Sequence, residues 1–209
     1  DYVFSECECP ESTTFHAMRV WVGYKLKCDP NLPLAPLIKR FMEGYYGAAA
    51  PYMKEYYDYL VKRQASAPEL DTRGVVERDY LDAEFFRTVE TLLEKALAAV
   101  IGDPDRTLHI LNERVPFDIA RVICQPVIPA FIPDANEVKK RLFKDWRIFT
   151  EHYLTGITRQ RSLEQMQRFF QEYAEKKPGA KYPVPRQLEG KELYEITFQD
   201  FNLLQSMEF

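Results

Sequence analysis

Cysteine, glycine and histidine are scarce: 4, 8 and 3 of 209 residues. Each shortage excludes something. Cys7, Cys9, Cys28 and Cys124 are too sparse for a disulfide scaffold, and a Cys-x-Cys pair does not readily bridge to itself. Free thiols are therefore expected, which leaves the compartment open. The few glycines form no phosphate-cradling loop, dinucleotide fingerprint or nucleophile elbow. His109 and His152 fall on expected helices with no Cys, Ser or carboxylate motif beside them, so solvated or core histidine is the reading for both. Cys7, Cys9 and His16, with Glu6, match no standard zinc spacing, so neither metal nor cofactor is expected. No apolar run approaches the roughly 18 residues that cross a bilayer. A net charge of −4 gives no case for nucleic acid or an anionic membrane surface as partner. The short basic clusters Lys139-Lys140-Arg141 and Arg159-Gln160-Arg161 are expected on solvated helix faces. The opening "DYVFSECECP" has no basic start and no signal-type apolar block, and both ends of the chain are expected to be cuts in a longer protein.

What is present is apolar and aromatic, at 46% and 14% of residues, enough for a sizeable core. "DYVFSE" predicts a short strand over residues 1–6. Ser12, Thr13 and Thr14 offer helix caps before "FHAMRVWVGYKLKC", which should stop at "DPN". Pro36 suits the start of a second helix with Leu37, Ile38, Phe41, Met42 and Tyr45 on one stripe. A third helix is expected from about Ala48 to Arg63. The polar stretch 64–79 predicts a domain boundary. Asp82 then caps "AEFFRTVETLLEKALAAVI", with Phe85, Phe86, Val89, Leu92, Leu93 and Ala96 facing inward. Asp103 and Pro104 open a helix to about Ile123 that Pro116 should kink or split, and "QPVIPAFIPD" cannot be helical. Capping boxes at Asp134/Glu137 and Ser162/Gln165 predict two more helices, and "ELYEITFQDFNLL" a loose strand.

The stretch "FMEGYYGAAAPYMKEYYDYL", residues 41–60, holds six tyrosines. Tyr45 and Tyr46 are neighbours on a helix and point about 100° apart, so they cannot form one flat platform. Tyr52, Tyr56 and Tyr59 share a stripe that reads as a buried face with hydroxyls at its edge. Packing is the expected role of the stretch. Tyr45 and Tyr46, flanked by glycine, are the candidates within it for contacting a ligand.

Residues 21–60 also carry a resemblance. Lys25, Leu26, Asp29, Pro30 and Asn31 form a "K-L-x-x-D-P-N" turn after a Trp-containing helix, and Phe41, Gly44, Tyr45, Tyr46, Gly47, Ala49 and Ala50 form an "F-x-x-G-Y-Y-G-x-A-A" block. This looks like a signature of large bacterial glycoside-hydrolase-like proteins of largely uncharacterised function, related in architecture to α-glucuronidases and β-hexosaminidases. The resemblance continues more loosely in "YLDAEFFRTVETLLEKALAAV" and "ERVPFDIARV". Cys28 stands where the family tends to have Trp, and "SECEC" replaces a glycine-containing segment.

The resemblance implies a mainly α chain: the last β/α unit of a (β/α)8 barrel with trailing helices over 1–66, a helical bundle over 67–180, and from 181 to 209 a short β-like tail leading into a β-rich module. It implies a hydrolase acting on an oligo- or polysaccharide as part of a larger protein, periplasmic or secreted. Glu6 and Glu8 follow the expected strand, and barrels place their chemistry at the C-terminal ends of strands. Glu6 is thus the catalytic candidate and Glu8, with Tyr45 and Tyr46, the substrate-binding one. Glycoside hydrolysis needs two carboxylates about 5–10 Å apart, so this chain alone is expected to be inactive. The alternative is an independent helical interaction or scaffold module. A small metalloenzyme built on Cys7, Cys9 and His16 is a third reading.

Overall fold

The structure, a computed structural model, describes residues 13–66, 80–124 and 135–174. The strand expected over 1–6, the boundary beyond residue 66, the three-proline segment and the β-like tail lie outside them, as do Glu6, Glu8, Cys7 and Cys9. Within them the chain is mainly α, a helical bundle as expected: α1 (His16–Cys28), α2 (Leu34–Tyr46), α3 (Ala50–Ala65), α4 (Ala83–Ala99), α5 (Pro104–Cys124), α6 (Ala135–Tyr153) and α7 (Gly156–Ala174). No described helix is long and apolar enough to cross a membrane.

Each helix packs on the next in sequence, and α5 also reaches back to α2. One hydrophobic core runs through both sides of the 67–79 stretch, from Phe15 and Met18 through Phe41, Tyr46 and Met53 to Phe86, Leu93, Phe117 and Leu142. The packing follows the apolar stripes. On α4 the six side chains expected to face inward are all buried. Asp82 caps that helix as expected, its side chain accepting from the Phe85 N–H at 2.8 Å. Arg63, from the last turn of α3, bonds both Asp82 and the Tyr80 carbonyl, which fastens the end of α3 to the start of α4.

Several local expectations need correction. On α2 the buried stripe ends on Tyr46 rather than Tyr45, and Pro36 is the third helical residue instead of the first. Ser162 does not open a helix. It lies inside α7, buried, where it shares a hydrogen bond with Thr150 at 2.9 Å and accepts one from the Trp146 indole at 3.3 Å. A capping sequence in a helix interior is used for helix pairing when a buried neighbour needs a polar partner. α5 runs through Pro116 without a break. A proline there removes one backbone hydrogen bond, and packing against α2, α4 and α6 outweighs the loss.

Charge joins α4, α5 and α6. Arg141 of α6 forks onto Asp118 of α5, through Nε at 2.9 Å and Nη2 at 2.6 Å, and its Nη1 reaches Glu90 of α4 at 2.5 Å. Arg121 of α5 pairs with the same Glu90. Arg114 donates to Asp145 at 2.6 Å. Burial pushes the Asp118 and Asp145 carboxyls above their ordinary range, with the arginines opposing it.

The two glycines of the Gly-Tyr-Tyr-Gly block differ. Gly47 ends α2 with φ +55, and a Cβ there would fall 2.1 Å from the Arg106 Nε. Gly44 lies in the last turn of α2 and a Cβ would meet nothing within 4 Å. A Gly44→Ala chain is therefore expected to be more stable by about 0.5–1 kcal/mol, from helix propensity alone. Urea unfolding checks this, and a loss of stability would show that the bare Cα at 44 is needed.

Candidate functional site

The site grows from an unusual start to α1. Its N-cap residue is Phe15, in the left-handed conformation at φ 55, ψ 33, and it brings no capping side chain. For a bulky residue that conformation costs roughly 1–2 kcal/mol. The ring is buried against Tyr56 and Tyr57, with centroids 5.0 and 5.5 Å away, which holds the backbone in place. In a capping box a Glu or Gln at the third helical position reaches back to the N-cap N–H. Here that position is Met18, which cannot. The N–H of Phe15 instead donates to the Glu113 Oε2 at 2.6 Å, from the middle of α5. Thr13 and Thr14, expected as caps, are not the N-cap of α1, which is Phe15.

Glu113 is 1% exposed. Its other oxygen accepts from the Tyr46 hydroxyl at 2.8 Å. Both oxygens are thus satisfied, and no ion pair to Glu113 is present among the described residues. Burial raises its pKa to about 7, against the two hydrogen bonds that favour the charged form. The same burial, with the Glu113 charge beside them, pushes the Tyr46 and Tyr56 hydroxyls well above the ordinary tyrosine range.

Tyr45 closes the outer side. Its ring stacks on His109 of α5 at 3.7 Å and 8°, and on Phe41 at 4.8 Å. His109 Nδ1 lies 2.8 Å from the Tyr45 carbonyl, which can only accept, so Nδ1 carries the hydrogen. The Tyr45 hydroxyl shares a hydrogen bond with Tyr153 of α6. Burial raises both of those tyrosines.

The structure thus brings Tyr45 and Tyr46 together but perpendicular, at 83°, and turns each into a clasp on α5. Tyr46 is fully enclosed and Tyr45 is engaged on His109 and Phe41. Tyr56 is buried as its stripe predicts, while Tyr52 and Tyr59 are half-buried. Sequence reasoning missed Glu113. The signal was available: it lies on the apolar stripe of α5 with Ile110 and Phe117, three and four residues away. A carboxylate on such a stripe needs donors, and a neighbouring helix without its own cap needs an acceptor.

The described residues form a helical bundle in which Tyr46 and the start of α1 converge on one buried carboxylate, Glu113, while Tyr45 engages His109 and Tyr153. Residues 1–58 match a family described as Domain of unknown function (DUF4838), a span that takes in α1, α2 and half of α3, including the tyrosine pair. No curated protein and no solved structure matches the chain.

Proposed function

We propose that this chain is the helical, C-terminal part of a carbohydrate-active, glycoside-hydrolase-like protein. Its bundle anchors the segment carrying Glu6 and Glu8 and does not cleave a glycosidic bond alone. The observation that carries the reading is the bond from the Phe15 N–H to Glu113, seven residues beyond Glu8, which ties the chain entering α1 to α5. The family match over 1–58 supports it, because it includes most of the stretch on which the glycoside-hydrolase resemblance rests. Glu113 has the proton affinity of a general acid, but it is enclosed and occupied by Phe15 and Tyr46. Glu6 is then the catalytic group, Glu8 contacts a sugar hydroxyl, and the second carboxylate of the pair comes from elsewhere in the longer protein.

The test is release of reducing ends from a panel of oligosaccharides. The longer protein is expected to hydrolyse one of them and this chain none. Glu6→Gln in the longer protein should lower kcat about 10²–10⁴-fold, the usual contribution of a positioned acid or base. Hydrolysis by the isolated chain would sink the reading.

A second reading, an independent helical interaction module, draws on α1, where Val20 and Tyr24 are exposed four residues apart at 42% and 63%. The mass of the protein made from the complete gene separates the two. A product of 24.6 kDa favours the module, and one several times larger favours the enzyme.

A further inference from the structure

We propose that Glu113 is a proton-operated latch on the chain entering α1: closed when its carboxyl is neutral, and opened toward water when that carboxyl is ionised. The geometry supplies both states. In the ionised state Oε1 and Oε2 accept from the Tyr46 hydroxyl and the Phe15 N–H. In the neutral state Oε2 still accepts from Phe15, while an Oε1 hydroxyl donates to the Tyr46 oxygen, which can accept. The Phe15 N–H and both carboxyl oxygens stay engaged either way, while the neutral state leaves the Tyr46 hydrogen with no acceptor among the described residues. What differs is a whole charge in an enclosed site, and the nearest way to hydrate it is to release Phe15, whose left-handed backbone favours release.

The groups that face Glu113 do not offset that charge. From α2 come Tyr45 and Tyr46, from α3 Tyr56, and from α6 Tyr153, all neutral hydroxyls that its charge pushes further from ionising. On α5 itself His109 stands one turn earlier with Nδ1 committed to the Tyr45 carbonyl. From α1 the partner is a backbone N–H.

The carboxyl has its pKa at about 7 when closed, against an ordinary value of 4.5. A raised value means that the closed state binds the proton more tightly. Its advantage is complete below the ordinary value, falls as pH rises toward 7, and is flat above. Opening therefore becomes easier by about tenfold per pH unit inside that window, and by on the order of 50-fold between pH 5 and 8. The proton goes to bulk water. The latch stands whether or not the chain serves carbohydrate chemistry.

The experiment is amide hydrogen exchange at Phe15 in the whole chain, with protection corrected for the intrinsic rate at each pH. Wild type is expected to lose protection by that amount from pH 5 to 8, and Glu113→Gln to give a flat profile. Tyr46→Phe removes a bond that favours the ionised form, so its loss should move to higher pH. A flat wild-type profile, or a Glu113→Gln chain that keeps the wild-type profile, overturns the proposal. Should Glu113→Gln not fold, carbon-13 titration of the wild-type Glu113 carboxyl decides: a midpoint near neutrality supports the latch, and one near 4.5 overturns it.

Discussion

An Arg141→Ala chain is expected to lose about 3–5 kcal/mol of stability, the cost of breaking a buried ion pair from one side. Arg141 satisfies both oxygens of Asp118, whose side chain is 0% exposed, and reaches both of Glu90. Glu90 would keep Arg121, but Asp118 would be left as a charge with no donor from α6. Urea unfolding at pH 7 should show a lower midpoint with an unchanged slope, because the surface exposed on unfolding is the same. The loss should shrink on acidification. Without Arg141, burial and the Asp145 charge act on Asp118 against Arg114 alone, its carboxyl takes up a proton more readily, and a neutral acid costs less to enclose. Changing the pair together, Arg141→Met with Asp118→Leu, should recover most of the loss, since well-packed apolar groups often replace an enclosed ion pair without harm. A loss below about 1 kcal/mol for Arg141→Ala would place this network among solvated surface pairs.

Gly47→Ala should cost about 2–4 kcal/mol, combining backbone strain with overpacking. Its φ of 55 with ψ of −122 is a region that side-chain-bearing residues avoid. The added methyl would meet Arg106 at Nε and Cδ, 2.1 and 2.5 Å away. These atoms are mid-chain, and moving them disturbs the 2.6 Å bond from Arg106 to Asp103, the acid at the start of α5. Arg106→Ala in the same chain should return the steric part and leave the strain. Three residues earlier, Gly44→Ala is expected to have the opposite sign. Full recovery in the Gly47→Ala, Arg106→Ala chain would show that the backbone at 47 tolerates a side chain after all.

Local chemistry was legible in this sequence where cause and effect lie within one turn. Asp82 and the stripe from Phe85 to Ala96 are an example, because a cap and a 3.6-residue period need nothing from elsewhere. The packing role of the tyrosines was legible too, since adjacent helical positions cannot form a plane. Relations across the chain were not. Nothing near His16 says that its helix borrows a cap from α5, and nothing near Ser162 says that Trp146 and Thr150 will claim its hydroxyl inside α7. In both cases a distant polar group overrode a local motif, because a buried donor or acceptor without a partner costs more than a cap is worth. For the candidate site, the tyrosines could be named from spacing, but Glu113, the partner of Tyr46, could not without knowing that α2 and α5 touch.

The bundle is held by two different kinds of contact. Aromatic rings join α1 through α5, from Trp21 and Phe41 to Tyr45 and His109, whereas arginine-carboxylate forks join α4, α5 and α6. Apolar burial weakens on cooling, while the desolvation of ion pairs becomes less costly on heating. The core is shared by all the helices, but α4, α5 and α6 add to it an ion-pair network whose cost falls with temperature. Warming should therefore leave the α4–α5–α6 side as the last to let go.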